Sequence, residues 1–267
     1  MRVSLEQHNI EIHQNRRHWE RKPLLRKVYR QFGREIAQRV DHTRPGLIVE
    51  LGSGMGHIKQ HLPGCITTDL FPNPWLDRVE NAYDLSFSDG AVSHLILFDV
   101  WHHLEYPGTA LREYYRVLTE RGKVIIFDPA MGLLGRFVFG HFHHEPLGLN
   151  DEIRWEAPEG FSRHSSYYYA AQGNASRIFA STAFGEQLRS WRVAEVVYFS
   201  ALAYLGSGGF RGPQLYPMAA LPLLNCVDSF LSRFPILASR MLVVLEKEAD
   251  SGKSPNPRIN AHPTQRG

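Results

Sequence analysis

The stretch from Gly46 to Gly56, GLIVELGSGMG, constrains this chain more than any other. Its first half is apolar on consecutive positions and includes the β-branched Ile48 and Val49, the pattern of a strand buried on both faces of a parallel sheet. Its second half places Gly52, Gly54 and Gly56 at alternate positions. Glycines so spaced let the backbone turn tightly and approach a ligand where any Cβ would collide. His57 to Leu62 can open a helix, so the stretch predicts strand, glycine turn and helix, a cradle for a nucleotide-type ligand. The dinucleotide fingerprint G-x-G-x-x-G needs glycine or alanine at position 57 for close packing of helix on strand. That residue is His57 here, and the spacing is instead Glu50-x-Gly52-x-Gly54-x-Gly56.

The following segments extend the strand and helix alternation. Cys65 to Leu70 reads as a second strand ending in Asp69, whose carboxylate can accept hydrogen bonds from both hydroxyls of a ribose, or can simply cap a turn. After the polar stretch Asn81 to Gly90, His94 to Leu104 supplies a fourth buried strand and its exit loop. A helix from Pro107 follows, with Leu111, Tyr115 and Leu118 expected on one face. Arg116 to Lys123 leads into a fifth strand, Val124 to Pro129. Alternation of this kind gives an open parallel sheet that binds ligands outside the carboxyl ends of its strands, where Glu50, Asp69, Asp84, Asp99 and Asp128 all fall.

From about residue 45 to 130 these motifs, in this order, resemble the class I S-adenosylmethionine-dependent methyltransferases of the type 11 kind. Glu50 to Gly56 is similar to their motif I, and Asn81 to Gly90 to the stretch written D-x-x-x-L-P-F-x-D. The strand ending in His102-His103-Leu104 also matches, as does R-V-L-x-x-G-G with Arg121 in place of the first glycine. The resemblance implies an α/β fold, a Rossmann-like doubly wound, mostly parallel seven-stranded sheet with an antiparallel edge, the edge strands being Val193 to Phe199 and Met241 to Glu246, plus an inserted cap. It implies S-adenosyl-L-methionine as cofactor, held by Glu50, Gly52, Ser53, Gly54, Gly56, Asp69, Leu70, Asp84, Leu85, Phe98 and Asp99. Asp84, or the backbone beside it, would meet the adenine amino group, and Leu85 would pack on the ring. A nicotinamide-dependent oxidoreductase and a non-catalytic S-adenosylmethionine-binding protein on the same fold are the alternatives.

On this reading the chain divides into a basic helical arm (1–44), a cofactor half (45–128), a substrate cap (129–190), the rest of the core (191–248) and a polar tail (249–267) expected to be disordered. In the arm, Leu24, Val28, Phe32, Ile36 and Val40 recur every four residues after Pro23 and mark a helix with one buried stripe. The arm's basic cluster, with His18 and Trp19, is either a solvated face or a lid that meets an anionic substrate. An apolar helix is expected from about Met218 to Phe234, its Leu221, Leu224, Val227 and Leu231 periodicity compatible with core, dimer contact or a surface that touches lipid, with core as the default.

The net charge of +3 is too small to call for nucleic acid, and the basic residues do not interleave with aromatics along a groove. Two cysteines cannot make a disulfide framework, and neither a signal-peptide pattern nor an apolar run long enough to span a bilayer is present, so a cytoplasmic protein is expected.

Methyl transfer to a hydroxyl requires loss of a proton, and His102, His103, Asp128 and His143 or His144 are the candidate bases. The polar cluster His141 to Pro146 holds metal-ligand residue types, but only His141 and Glu145 have helical i, i+4 spacing and there is no H-E-x-x-H, so no metal is assigned. Tyr167, Tyr168, Tyr169, Gln172, Asn174 and Arg177 crowd aromatic and amide groups, either as an acceptor pocket or as packing for the cap. A small-molecule, sugar or lipid-linked acceptor is the expected partner, and peripheral contact with a membrane is compatible with the apolar helix near the C-terminus. Oligomeric state is not legible.

Overall fold

The computed structural model describes residues 5–143, 145–162 and 169–248. His144, Tyr167, Tyr168 and the tail from residue 249, all singled out in the sequence, lie outside the described residues. In chain order the elements are α1 (Leu5–Arg21), α2 (Pro23–Ala37), β1 (Leu47–Leu51), β2 (Ile66–Asp69), β3 (Arg78–Val79), β4 (Val92–Phe98), α3 (Pro107–Val117), β5 (Leu118–Pro129), α4 (Leu133–Phe142), α5 (Asn174–Phe179), β6 (Trp191–Phe199), α6 (Leu202–Gly206), α7 (Leu221–Leu231) and β7 (Arg240–Lys247). The seven strands form one sheet in the order β3-β2-β1-β4-β5-β7-β6. β3, β2, β1, β4 and β5 pair in parallel, and β7 runs antiparallel to both β5 and β6.

The central strands are apolar on consecutive positions because each face of the sheet is covered. Leu95, Leu97, Val124 and Ile126 face α3, where Leu111, Tyr114 and Val117 complete one core. Ile96, Ile125 and Phe127 face the opposite way and meet Leu24, Val28, Phe32 and Ile36 of α2. The arm's stripe is thus half of a hydrophobic layer, each fully buried side chain stabilising it by roughly 1.5–3 kcal/mol. Strand order reverses between β2-β1 and β4-β5, which opens a crevice outside the carboxyl ends of β1 and β4.

Several local expectations change. Only one 3-10 turn, His57–Gln60, follows the glycines, because Pro63 disfavours helical backbone at Leu62. The inner face of α3 carries Ala110, Leu111, Tyr114 and Val117, not Tyr115 and Leu118: Tyr115 is only partly buried, and Leu118 already begins β5, paired with Val92. The first part of the arm is itself a helix, α1. The apolar helix near the C-terminus is not a core helix. In α7 only Leu221 is buried, while Leu223, Val227 and Phe230 are exposed. Its inward face instead presents Asp228, whose carboxylate accepts hydrogen bonds from the Leu202 and Ala203 amides (2.6 and 2.9 Å) and so caps α6.

Candidate active site

The glycine turn is fixed from behind by β2. Ser53 N donates to Thr68 O (2.8 Å), Thr68 Oγ1 donates to Glu50 O (2.8 Å), and Gly54 N donates to Asp69 Oδ2 (3.0 Å). Asp69 Oδ1 accepts from Leu70 N at 2.7 Å, so this carboxylate braces the turn. Gly52, Gly54 and Gly56 all have positive φ, of 66, 52 and 66°. A Cβ at Gly52 would lie 2.4 Å from Val100 Cγ2, whereas one at Gly54 would meet no protein atom within 4 Å. Gly52 is therefore required by the protein's own packing, and Gly54 borders open space.

That space is a cleft of about 240 Å³ lined by Glu50, Gly52, Ser53, Gly54, Phe98 and Asp99 below and by Ile12, Trp19 and Phe210 above. Two cover segments meet there. Trp19 of α1 stacks on the His57 ring at 3.7 Å with 17° between planes, and Lys22 donates to the carbonyls of Gly209 (2.7 Å) and Gly212 (2.5 Å). Burial, with the nearby Arg16 charge, depresses the His57 ring to about 4, so it is neutral at physiological pH and suited to stacking. The basic arm thus covers the cleft, and Lys22 and Arg26 hold backbone carbonyls.

Glu50 is the charged group at the cleft floor. It is buried, its Oε2 has no partner among the described residues, and burial raises its carboxyl to about 7. Such an atom costs free energy unless a donor or cation meets it. Asp99, at φ 57°, follows β4 and pairs with the buried Arg240 of β7. Leu70 is exposed just past β2, Asp84 sits on an exposed turn, and Leu85 lies in the core with its amide on Glu113. The structure brings Asp84 and Leu85 to that turn and core, and Asp69 and Gly56 behind the cradle.

Beyond Asp99 lies a second constellation. His102 Nδ1 is 3.0 Å from Asp128 Oδ1, and His102 Nε2 is 3.6 Å from Glu145 Oε2. His103 Nε2 is 3.9 Å from the other oxygen of Glu145, and His143 Nδ1 is 3.6 Å from Glu145 Oε2. Three of the predicted acid–base candidates, His102, His103 and His143, therefore lie within 4 Å of one carboxylate, and the fourth, Asp128, contacts His102 from its other side. The sequence pairs Glu145 with His141, but His141 is exposed and its Nδ1 bonds Phe137 O. Gln172 also bonds Glu145, whereas Arg177 braces the Gly148 and Asp151 carbonyls. Burial lowers His102 but the Asp128 and Glu145 carboxylates outweigh it and raise the ring to about 10, while burial raises Asp128. Both directions mean that the pair retains one proton through neutral pH. Burial and the neighbouring His102 lower His103 to about 4, leaving it neutral.

A protein-family model described as a methyltransferase domain matches residues 49–126, which run from the middle of β1 into β5 and contain the glycine cradle. The chain carries a class I S-adenosylmethionine-dependent methyltransferase domain. It is an enzyme, its cofactor is S-adenosylmethionine, and the nicotinamide alternative falls away. The fold of this methyltransferase is similar over nearly its whole length to two solved structures. One is a Haloferax volcanii methyltransferase in complex with the Trm112 methyltransferase activator (16% identity, 91% of this chain and 97% of that one, TM-score 0.51). The other is a Thermotoga maritima S-adenosylmethionine-dependent methyltransferase (13% identity, 89% and 99%, TM-score 0.50). No curated protein matches its sequence.

The cleft fits the cofactor on its own chemistry. Glycine backbone borders open space, and a buried carboxylate oxygen of Glu50 with no partner among the described residues is the acceptor that a cationic amino group needs. What the sequence does not mark is the reach of the site: Arg240 on Asp99, Trp19 on His57 and Glu145 among the histidines are all long-range pairs. Among the described residues no helix is long and apolar enough to cross a membrane.

Proposed function

We propose that this methyltransferase methylates a hydroxyl of a small-molecule, sugar or lipid-linked acceptor, and that the acceptor hydroxyl is received at the cluster of His102, His103, Asp128 and Glu145. The observation that carries this reading is the convergence of three histidines and two carboxylates on the side of Asp99, a residue that also lines the cleft. The bound cofactor supplies a methyl group already made electrophilic by a sulfonium. The protein has to hold a nucleophile in line with it, and positioning of this sort removes up to about 7–11 kcal/mol of barrier in the best intramolecular cases.

In this scheme Glu50 meets the amino group of the cofactor, while the backbone of Gly52 to Gly54 lets it approach closely. Leu70 and Phe98 offer it apolar surface, and α1 closes over it through Trp19. Asp128 holds the His102 ring, and His102 with Gln172 orients Glu145. His103 and Glu145 present the acceptor atoms to which the hydroxyl donates and one of which takes its proton. Support for a small or lipid-linked acceptor comes from the cover over the cleft and from α4. The cluster residues Asp128 and Glu145 flank this helix in the chain, and Leu133, Phe137 and Phe142 on it are exposed, as an apolar acceptor would use. Cytoplasmic action fits the same reading.

Calorimetric titration with S-adenosylmethionine, S-adenosylhomocysteine and NAD in parallel comes first. Micromolar binding of the two adenosyl ligands, and label transfer from methyl-labelled cofactor to hydroxylated sugars or lipid-linked acceptors, is the expected result. Transfer only to RNA or protein substrates would overturn the acceptor class.

A further inference from the structure

The helices that cover one face of the sheet leave an apolar row outside the site already described. Leu24, Val28 and Phe32 of α2, Ala203 of α6, and Leu221 and Leu224 of α7 share one buried layer, and α6 touches both of its neighbours. The three helices therefore lie side by side. Turned away from that layer, Leu223, Val227 and Phe230 follow one another at helical spacing along α7, and Phe234 and Ile236 extend the row past its end. The Phe230 and Phe234 rings lie 5.6 Å apart between centroids, and Leu223, Phe230 and Ile236 are 68, 56 and 62% exposed. Single exposed apolar side chains are ordinary, but a contiguous row of five marks a surface that something covers.

The charges beside the row say what covers it. Asp228, the one acid in the sequence of α7, is turned inward onto the amides of α6, while Arg233 stands exposed at the helix end. On α2, Lys27, Arg30 and Arg34 are exposed at i, i+3, i+7 spacing, opposite the buried stripe. Glu35 is engaged by Arg39, and Glu20 of α1 by Arg16. The sequence up to residue 44 holds 11 lysines and arginines against 5 acids, an excess twice the whole chain's net +3. An isologous contact with a second copy would bring this face against itself and offer these cations no free acid. An apolar row flanked by lysine and arginine instead fits a bilayer interface, where apolar side chains enter the acyl boundary and cations meet anionic headgroups.

We propose that the outer side of α2 and α7 docks on a bilayer carrying anionic headgroups, with α7 and the turn from Phe234 to Ile236 entering the interface and α2 resting on the headgroups. Ile236 also adjoins the start of α4, since a Cβ at Gly132 would lie 2.7 Å from the Ile236 carbonyl oxygen. The docked surface thus reaches the helix that Asp128 and Glu145 flank in the chain. The inference concerns where the enzyme works, and it stands whether or not the acceptor is itself a lipid.

The test is co-sedimentation of the full chain with vesicles of phosphatidylcholine alone and of phosphatidylcholine mixed with phosphatidylglycerol. Binding to the mixed vesicles is expected to be at least about 10-fold tighter, and to weaken at about 1 M salt, where the Debye length is about 3 Å. Phe230→Ser with Ile236→Ser, and Lys27→Glu with Arg34→Glu, should each lower it by about 10-fold or more. Circular dichroism and S-adenosylmethionine affinity should not change, because none of the four residues lines the cleft. Cys226 is exposed on α7 and Cys65 is buried, so an environment-sensitive fluorophore can be placed on Cys226 alone, and its emission should shift to the blue on mixed vesicles. That label decides the matter even if a substituted protein does not fold. Failure to sediment with mixed vesicles overturns the proposal. So does binding that leaves the label's emission unchanged or that survives the Phe230 and Ile236 substitutions, either of which would mean adsorption through another basic surface. A concentration-dependent dimer by light scattering that Phe230→Ser abolishes, without vesicle binding, would assign the face to a second copy instead.

Discussion

The glycine turn and the histidine–carboxylate cluster are built on different principles. At the glycine turn, Glu50, Gly52, Gly54 and Asp69 come from two adjacent parallel strands and one short connection, and backbone amides do most of the positioning. In the cluster, His102, Asp128, Glu145 and Gln172 come from four separate segments and are positioned by side chains acting on side chains. The first arrangement is set by local backbone conformation and holds a constant cofactor. The second is a buried electrostatic cluster whose members depend on one another, and it is where the proposed acceptor hydroxyl would be received. Changes at one should therefore leave the other nearly untouched.

The largest separation of the two is expected from a pair of substitutions. Gly54→Val places a branched side chain in the open cleft at a φ of 52°. Cofactor affinity should fall by about 100-fold or more, roughly 3 kcal/mol, by calorimetry, with circular dichroism unchanged. Asp128→Asn should leave that affinity within about twofold but lower turnover by about 100-fold, the low end for acid–base groups. If Asp128→Asn weakens the cofactor as strongly as it slows turnover, the two are one cooperative unit.

Glu50 provides a pH dependence of defined sign. Its folded carboxyl titrates near 7, against an ordinary value of 4.5, because burial disfavours its charge. A folded state that binds the proton more tightly than the unfolded chain loses stability as pH rises from about 4.5 through about 7, by roughly 3 kcal/mol in the unliganded protein. The ionised form is the one a cationic amino group pairs with, so cofactor affinity should rise through the same window. Glu50→Gln should flatten both profiles. Affinity that is level between pH 5.5 and 8 in the wild-type enzyme would remove Glu50 from the ammonium's surroundings.

A smaller effect belongs to the cover. Trp19→Ala removes the stack on His57, an interaction of about 0.5–1.5 kcal/mol, and should speed cofactor release by several-fold in stopped-flow fluorescence without slowing entry. Equal acceleration of entry and release would mean that α1 is shut in the unliganded wild-type protein as well.

The same contrast explains what the sequence reveals. Glycine spacing, the consecutive apolar runs of β4 and β5 and the four-residue stripe of α2 are local signals of backbone shape and burial, and they specify the sheet and its cradle. The pairing of Glu145 with His102 and His103 is not local. It requires the chain after α4 to return to the exit of β4, and no periodicity encodes that return. Leu85 differs again: a motif position implies its role at the adenine, and its apolar side chain lies in the core against the sheet. Likewise α7 carries a core-like pattern on a helix whose inward face is held by Asp228.

Arg121 joins the two kinds of signal in one residue and carries the smallest prediction. It stands where the methyltransferase pattern has glycine, and its φ is 56° although it has a Cβ. The turn therefore holds a left-handed conformation with a side chain in place, at a strain of about 1–2 kcal/mol for a left-handed non-glycine position. Arg121→Gly should recover part of it, offset by the greater freedom of glycine in the unfolded chain, for a net gain of about 0.5–1 kcal/mol in urea unfolding. Arg121→Ala keeps the Cβ and should gain nothing. Cofactor affinity should be the same in all three proteins, because the residue lies at the start of β5, away from the strand ends that line the cleft. Equal stability of the glycine and alanine variants would show that the backbone at this turn relaxes in solution and that the pattern's glycine reflects something other than φ.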